Sequence, residues 1–236
     1  MQARTVFVLY LVALHAFVLV MAWLVLWRPN LLGRLAGAGL DMDAYRREVG
    51  AFLERVDASA PPGRVVCVGD SHVQGLAVTR IANGALNFGI GSETADGVRA
   101  RVAKLRCLET AKALVVVVGH NDLRRRDEAD LLADMSAVLT SSRASLPILV
   151  VAIPPVAAKS AVPELNERIA AVNPGLQALT TLRERTGFVD AHADLADAHG
   201  YLRDDYHVGD GLHLNAAGNE RFAARLRAGL EAVLKQ

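Results

Sequence analysis

Between Arg4 and Arg28 the chain reads TVFVLYLVALHAFVLVMAWLVLW, a stretch with no formal charge. It is long enough for the roughly 20 residues that cross the hydrocarbon core of a bilayer, and arginines bracket it at both ends. A run of this kind reads as one transmembrane helix. The competing reading is a cleaved signal peptide, for which Ala36-Gly37-Ala38 offers a small-residue site, but the apolar run is longer than an ordinary signal h-region. A retained single-pass anchor is therefore expected, with the membrane met through this helix. Orientation has two opposed signals. Arg28, Arg34, Arg46 and Arg47 lie beyond the span, and by positive-charge counting they would hold the remainder in the cytoplasm. A very short N-terminal tail ahead of a long apolar helix is instead the pattern of an uncleaved signal anchor, which exports the domain C-terminal to it. The expectation is a periplasmic or otherwise extracytoplasmic domain.

With 236 residues, 52% of them hydrophobic, the chain can bury one sizeable core beyond this helix. Its net charge of +1 gives no general attraction to nucleic acid. The two cysteines have neither the number nor the spacing of a disulfide framework or metal site, and Cys67 and Cys107 read as small buried residues.

The stretch DMDAYRREVGAFLERVD at 41–57 sets Met42, Tyr45, Val49, Phe52, Leu53 and Val56 at helical spacing. The Pro61-Pro62 pair then breaks the pattern. The division expected is an anchor over 1–30, a membrane-proximal helix and linker over 31–62, and a catalytic-type domain over 63–236. In that domain short apolar runs without alternation (RVVCV, ALNF, ALVVVV, PILVVAI, GFVD) are separated by helical stretches such as 127–140 and 164–185. Strands apolar on both faces, spaced by helices, indicate a parallel sheet covered on both sides. These signs point to an α/β class, three-layer α/β/α sandwich, closed by a helix over Ala216–Leu234.

Ligand sites in such sheets lie beyond the carboxyl ends of the strands. RVVCV passes into Gly69-Asp70-Ser71, and ALVVVV into Gly119-His120-Asn121-Asp122. The loop NFGIGSETADG supplies backbone N–H groups, and Asp210-Gly211-Leu212-His213 spaces a carboxylate about one helical turn from an imidazole. Serine is a weak nucleophile until a base takes its proton, and a carboxylate fixes the base's tautomer. Ser71, His213 and Asp210 supply those three groups.

GDS at 69–71, NFGIGSET at 87–94, GHND at 119–122 and DGLH at 210–213 resemble, in order and spacing, the four blocks of the SGNH/GDSL hydrolases. The resemblance covers essentially all of 64–236. It implies a flavodoxin-like five-stranded parallel sheet and hydrolysis, or transfer, of a short acyl group through a serine-bound intermediate without a cofactor or metal. Ser71 is then nucleophile and first oxyanion donor, Asn121 gives its side-chain amide to the oxyanion, His213 is base and Asp210 orients it. The family's N-x-G-x-x-G-[DE]-T block carries Ser92 where a glycine is usual, and serine tolerates positive φ less well. Ser92 is expected to donate through its main chain, with Gly91 as the alternative. An ester of an envelope polysaccharide or a lysolipid is the expected partner molecule; oligomeric state is left open.

GDSH with Asn121-Asp122 also resembles a metallophosphoesterase, but the further Asp and His blocks that two metal ions would need are missing. A third reading is a membrane-tethered carbohydrate-binding module with weak turnover, supported by Ser92 alone. His72 is expected at the site rim and, with His120, within reach of substrate. Asp70 and Asp122 are assigned to loop-holding hydrogen bonds. Arg124, Arg125 and Arg126 read as a solvated helix start that could attract an anion.

Overall fold

The computed structural model describes residues 2–27 and 41–236. Arg28, Arg34 and the Ala36-Gly37-Ala38 site lie outside the described residues. The chain divides into a unit ending at Tyr45 and a compact unit Arg46–Gln236. In the first, α1 covers Gln2–Trp27, and its Arg4–Leu24 stretch has the length and composition to cross a membrane, with none of it buried against protein. That description suits an anchor and a signal sequence alike.

Helix α2 (Met42–Ala58) opens on Asp41, whose carboxylate accepts from Asp43 and Ala44 N–H. Beyond Tyr45 it belongs to the compact unit. Leu53 is buried, and the Asp57 carboxylate accepts from Arg106 and Cys107 N–H at 2.9 and 2.8 Å. The Pro61-Pro62 break is thus a turn inside this unit rather than its edge. Phe52, counted on the apolar face from spacing, is exposed instead, with the Arg55 guanidinium over its ring.

The strands are β1 (Val65–Gly69), β2 (Leu86–Gly89), β3 (Ala113–Val117), β4 (Ile148–Val151) and β5 (Thr186–Val189). All pairs are parallel, in the order β2-β1-β3-β4-β5, the flavodoxin-like arrangement. Every residue of β1, β3 and β4 is buried, which explains why these runs do not alternate. After α3 (Ser71–Gln74), helices α4 (Ala95–Val102), α6 (Glu128–Ser141) and α7 (Leu165–Leu179) pack in succession, α5 (His120–Leu123) lying between them in sequence. After α8 (His192–Leu195), α9 (Ala216–Leu234) crosses β3, β4 and β5 on the opposite face, burying Phe222, Leu226, Leu230 and Val233 against Val115, Val117, Leu149 and Val151.

The strand order turns back between β1 and β3, β2 lying on one side and β4 and β5 on the other, so their carboxyl ends open a crevice. Gly69 ends β1 at φ 156°, and a Cβ there would lie 1.9 Å from the Val117 carbonyl oxygen. Gly69→Ala is accordingly expected to lower unfolding stability by about 3 kcal/mol. Chemical denaturation of the variant checks this.

Candidate active site

Ser71 is the first residue of α3, immediately beyond β1, and Asp70 caps that turn by accepting from His72 N–H at 2.9 Å. The turn is fastened to the loop after β2 by its own last residue: Gln74 Oε1 accepts from Gly91 N–H at 2.8 Å. Asn87 reinforces the junction, donating to the Val73 and Leu76 carbonyls at 2.7 and 3.0 Å while accepting from Gly89 N–H. The same loop is fastened to the end of β3. Asn121 Nδ2 donates to the Glu93 carbonyl at 3.0 Å, and both Asp122 oxygens accept from Ala95 N–H. Three blocks distant in sequence are therefore one hydrogen-bonded unit.

The fourth block closes over them. His213 Nε2 lies 2.9 Å from Ser71 Oγ, and His213 Nδ1 lies 2.6 Å from Asp210 Oδ2. Asp210 Oδ1 meanwhile accepts from Leu212 and His213 N–H, both at 2.9 Å. These residues form a turn rather than the helical turn inferred from their spacing, with Gly211 at φ 74°. The Asp210 carboxylate itself shapes that turn. Burial would raise its pKa, but the hydrogen bonds from the His213 ring and the two N–H groups outweigh that and hold it at about 2. Asp210 therefore stays ionised wherever the protein would work.

Two expectations need correction. Gly91 is no alternative oxyanion donor, because its N–H is already given to Gln74. His72 is not at the rim: it is 5% exposed and stacks on the equally buried His120, ring centroids 4.6 Å apart, with the His213 ring 5.9 Å away. Ahead of any contact with substrate, these two rings form a floor beneath the site. Burial drives both to the neutral form, His72 well below the ordinary value and His120 to about 4, where His120 Nε2–H donates to the Pro154 carbonyl.

Ser92 has φ 64°, the left-handed conformation that the usual glycine would adopt without cost. Its carbonyl accepts from Arg46 and Arg125, and its hydroxyl accepts from Arg125 at 2.6 Å. The arginine run is thus no plain solvated helix start. Arg126, 24% exposed, bonds Asp122, Asp96 and Asp134, while Arg125 grips Ser92. Arg101 also escaped the sequence reading; it pairs with Glu93 and donates to the Phe88 and Gly69 carbonyls, bracing the ends of β1 and β2. Among the described residues no group of three or more His, Cys, Asp or Glu side chains is placed to hold a metal ion.

The profile of the GDSL-like Lipase/Acylhydrolase family matches residues 67–221, from the middle of β1 into α9. The chain belongs to that family. Solved structures agree on the fold. A protein from Streptococcus pneumonia superposes with TM-score 0.74 at 19% identity, covering 86% of this chain and 99% of its own. A GDSL-like lipase from Bacteroides thetaiotaomicron gives 0.65 at 17% identity, covering 81% and 98%. A catalytic mutant of an acetylxylan esterase from Geobacillus stearothermophilus gives 0.59 at 14% identity, covering 71% and 94%. A comparison with curated proteins gave no match.

In this GDSL-like protein the carboxyl next to the serine is buried. Asp70 is 1% exposed and its Oδ2 has no hydrogen-bond partner. Burial, partly offset by the His72 N–H and reinforced by nearby Asp122 and Glu93, pushes its pKa from 3.8 to about 7. A carboxyl with a raised pKa favours the folded state fully at pH values below its unfolded pKa, and that contribution is lost as pH rises through about 7. The buried histidines act in the opposite direction, since their depressed values cost stability as pH falls below their ordinary 6.5. The difference between variants isolates Asp70. Asp70→Asn keeps the acceptor for His72 and cannot ionise, so its melting temperature relative to the parent is expected to rise steadily between pH 4 and pH 8. A constant offset across that range would remove the assignment.

Proposed function

We propose that this protein is a serine ester hydrolase that removes a short acyl group through an acyl-enzyme on Ser71. The observation that carries the reading is the continuous Asp210–His213–Ser71 chain, at 2.6 and 2.9 Å. His213 Nε2 takes the Ser71 hydroxyl proton as Oγ bonds to the ester carbonyl carbon, and Asp210 stabilises the imidazolium. The developing oxyanion is met by N–H groups of Ser71 and Ser92 and by the amide hydrogen of Asn121 that is not bound to Glu93. Collapse expels the alkoxide, which takes the proton from His213. Water, deprotonated by the same ring, then releases the acid and restores Ser71; a sugar hydroxyl in the place of water would make the reaction a transfer.

Side chains of Asp210 and His213 are 44% and 43% exposed, so the site is open to solvent on the side of the base. An open site over a floor of imidazoles suits an acetyl group presented on a bulky carrier better than a long acyl chain. Acetylated envelope polysaccharide is the substrate class favoured, with a lysolipid second. The apolar α1 is read as a retained anchor with the catalytic domain outside the cytoplasm, a reading supported by the length and apolar composition of its Arg4–Leu24 stretch.

Full-length protein in detergent is to be assayed against aryl esters of increasing chain length, with and without EDTA. Fastest turnover on the acetyl ester, unchanged by EDTA, is the expected result. A preference for long chains would favour the lysolipid, and loss of activity on chelation with rescue by manganese would favour the phosphoesterase. A C-terminal reporter active only in the cytoplasm would reverse the orientation.

A further inference from the structure

The block that carries Ser92 is held from outside itself. Within residues 91–93, Gly91 N–H is given to Gln74 Oε1 and Glu93 N–H to the Ile90 carbonyl, while the Ser92 carbonyl accepts from Arg46 Nη1 and Arg125 Nη1, both at 3.0 Å. Arg125 Nη2 completes a fork by donating to Ser92 Oγ at 2.6 Å. Among the described residues this leaves Ser92 N–H as the one main-chain donor of the three without an acceptor. A left-handed serine is less favourable than the ordinary conformation, because its Cβ crowds the following carbonyl oxygen. Charge-assisted hydrogen bonds to its carbonyl and hydroxyl are the kind of interaction that can offset such a cost, and a fork fixes direction as well as distance.

We infer that Arg46 and Arg125 are positioning residues that lock Ser92 in its left-handed conformation and so aim its N–H, making α2 a working part of the active site. Arg46 is well placed to do this because α2 is itself fixed at its other end, where Asp57 accepts from Arg106 and Cys107 N–H and Leu53 is buried. Arg125 comes from the segment after α5, four residues beyond Asn121, so two guanidiniums from different elements share one carbonyl. The glycine usual at this position needs no such support; serine with two arginines replaces it. The inference rests on the reading of Ser92 as an oxyanion donor.

The test uses full-length protein in detergent and an aryl acetate. Arg46→Ala and Arg125→Ala are each expected to lower kcat about tenfold with KM little changed, since a misaimed donor weakens only the transition state. Arg46→Lys should recover most of the loss, because one ammonium can serve one carbonyl, whereas Arg125→Lys cannot serve both oxygens and should recover less. In a Ser92→Gly background the Arg125→Ala loss should shrink. Amide hydrogen exchange at residues 91–93 should be faster in both alanine variants, a readout that does not require turnover. If the parent hydrolyses the ester and both alanine variants keep its kcat, the inference is overturned and the esterase reading stands. If the parent hydrolyses no ester, the esterase reading fails on its own, and exchange decides whether the arginines hold the loop: unchanged exchange overturns that as well.

Discussion

Ser71→Ala and His213→Ala are each expected to lower ester hydrolysis by on the order of 10⁴-fold or more, to a residue left by binding and oxyanion contacts alone. In the proposed mechanism the serine supplies the electrons, the imidazole carries the proton and Asp210 orients the ring, so neither loss can be made good by the other, and combining them should cost little beyond one. Asp210→Asn should be milder, leaving roughly a hundredfold more activity than His213→Ala does. Asp210 moves no proton; it holds the ring tautomer and stabilises the imidazolium, and at 44% side-chain exposure water can take over part of that task. Turnover of an aryl acetate by the three variants, with melting temperatures as a folding control, checks the order. Equal and slight effects at His213 and Asp210 would mean that the base lies elsewhere. The buried stack of His72 and His120 would be a poor substitute, since burial holds both rings neutral and His120 is already bound to Pro154.

Asn121→Ala should cost about 3 kcal/mol in the transition state, or roughly a hundredfold in kcat. The side chain has two amide hydrogens. One is given to the Glu93 carbonyl, so truncation removes an oxyanion donor and loosens the adjoining loop together. Ser92→Pro should be at least as damaging. It deletes the N–H, and the ring fixes φ near −65°, whereas this position needs 64°. Ser92→Gly keeps the N–H and relieves the conformation but gives up the hydroxyl bond to Arg125, and a fall of no more than about threefold is expected. Loss of all activity in a folded Ser92→Gly protein would assign chemistry to the hydroxyl, and a harmless Asn121→Ala would favour a binding module.

The sheet was legible because its central strands carry almost only apolar residues, with Gly69 closing β1 and Gly119 following two residues after β3; β1 and β3 need no tertiary information to be found. The residues brought to Ser71 were legible through the four blocks, whose polar groups have no reason to sit at strand ends otherwise. Burial was less visible. His72 and Asp70 follow a glycine in a polar loop, and only the close approach of α3 to β2 and α5 removes them from solvent. Asp70 and Asp122 were legible as loop supports, whereas the arginine supports were not visible at all. Arg46 acts on Ser92 across 46 positions and Arg101 on Gly69 across 32, and a lone arginine on a helix face carries no sign of its partner. Gly91 was misread for the same reason, since its competitor for the N–H is a glutamine side chain 17 positions away.

Ser71, activated by His213, is the proposed nucleophile. Its most direct test is the reaction of full-length protein with a fluorophosphonate, followed by peptide mass analysis. A single adduct on the peptide containing Ser71, absent from His213→Ala, is the predicted result. An adduct on another serine, or undiminished labelling of Ser71 in His213→Ala, would contradict it.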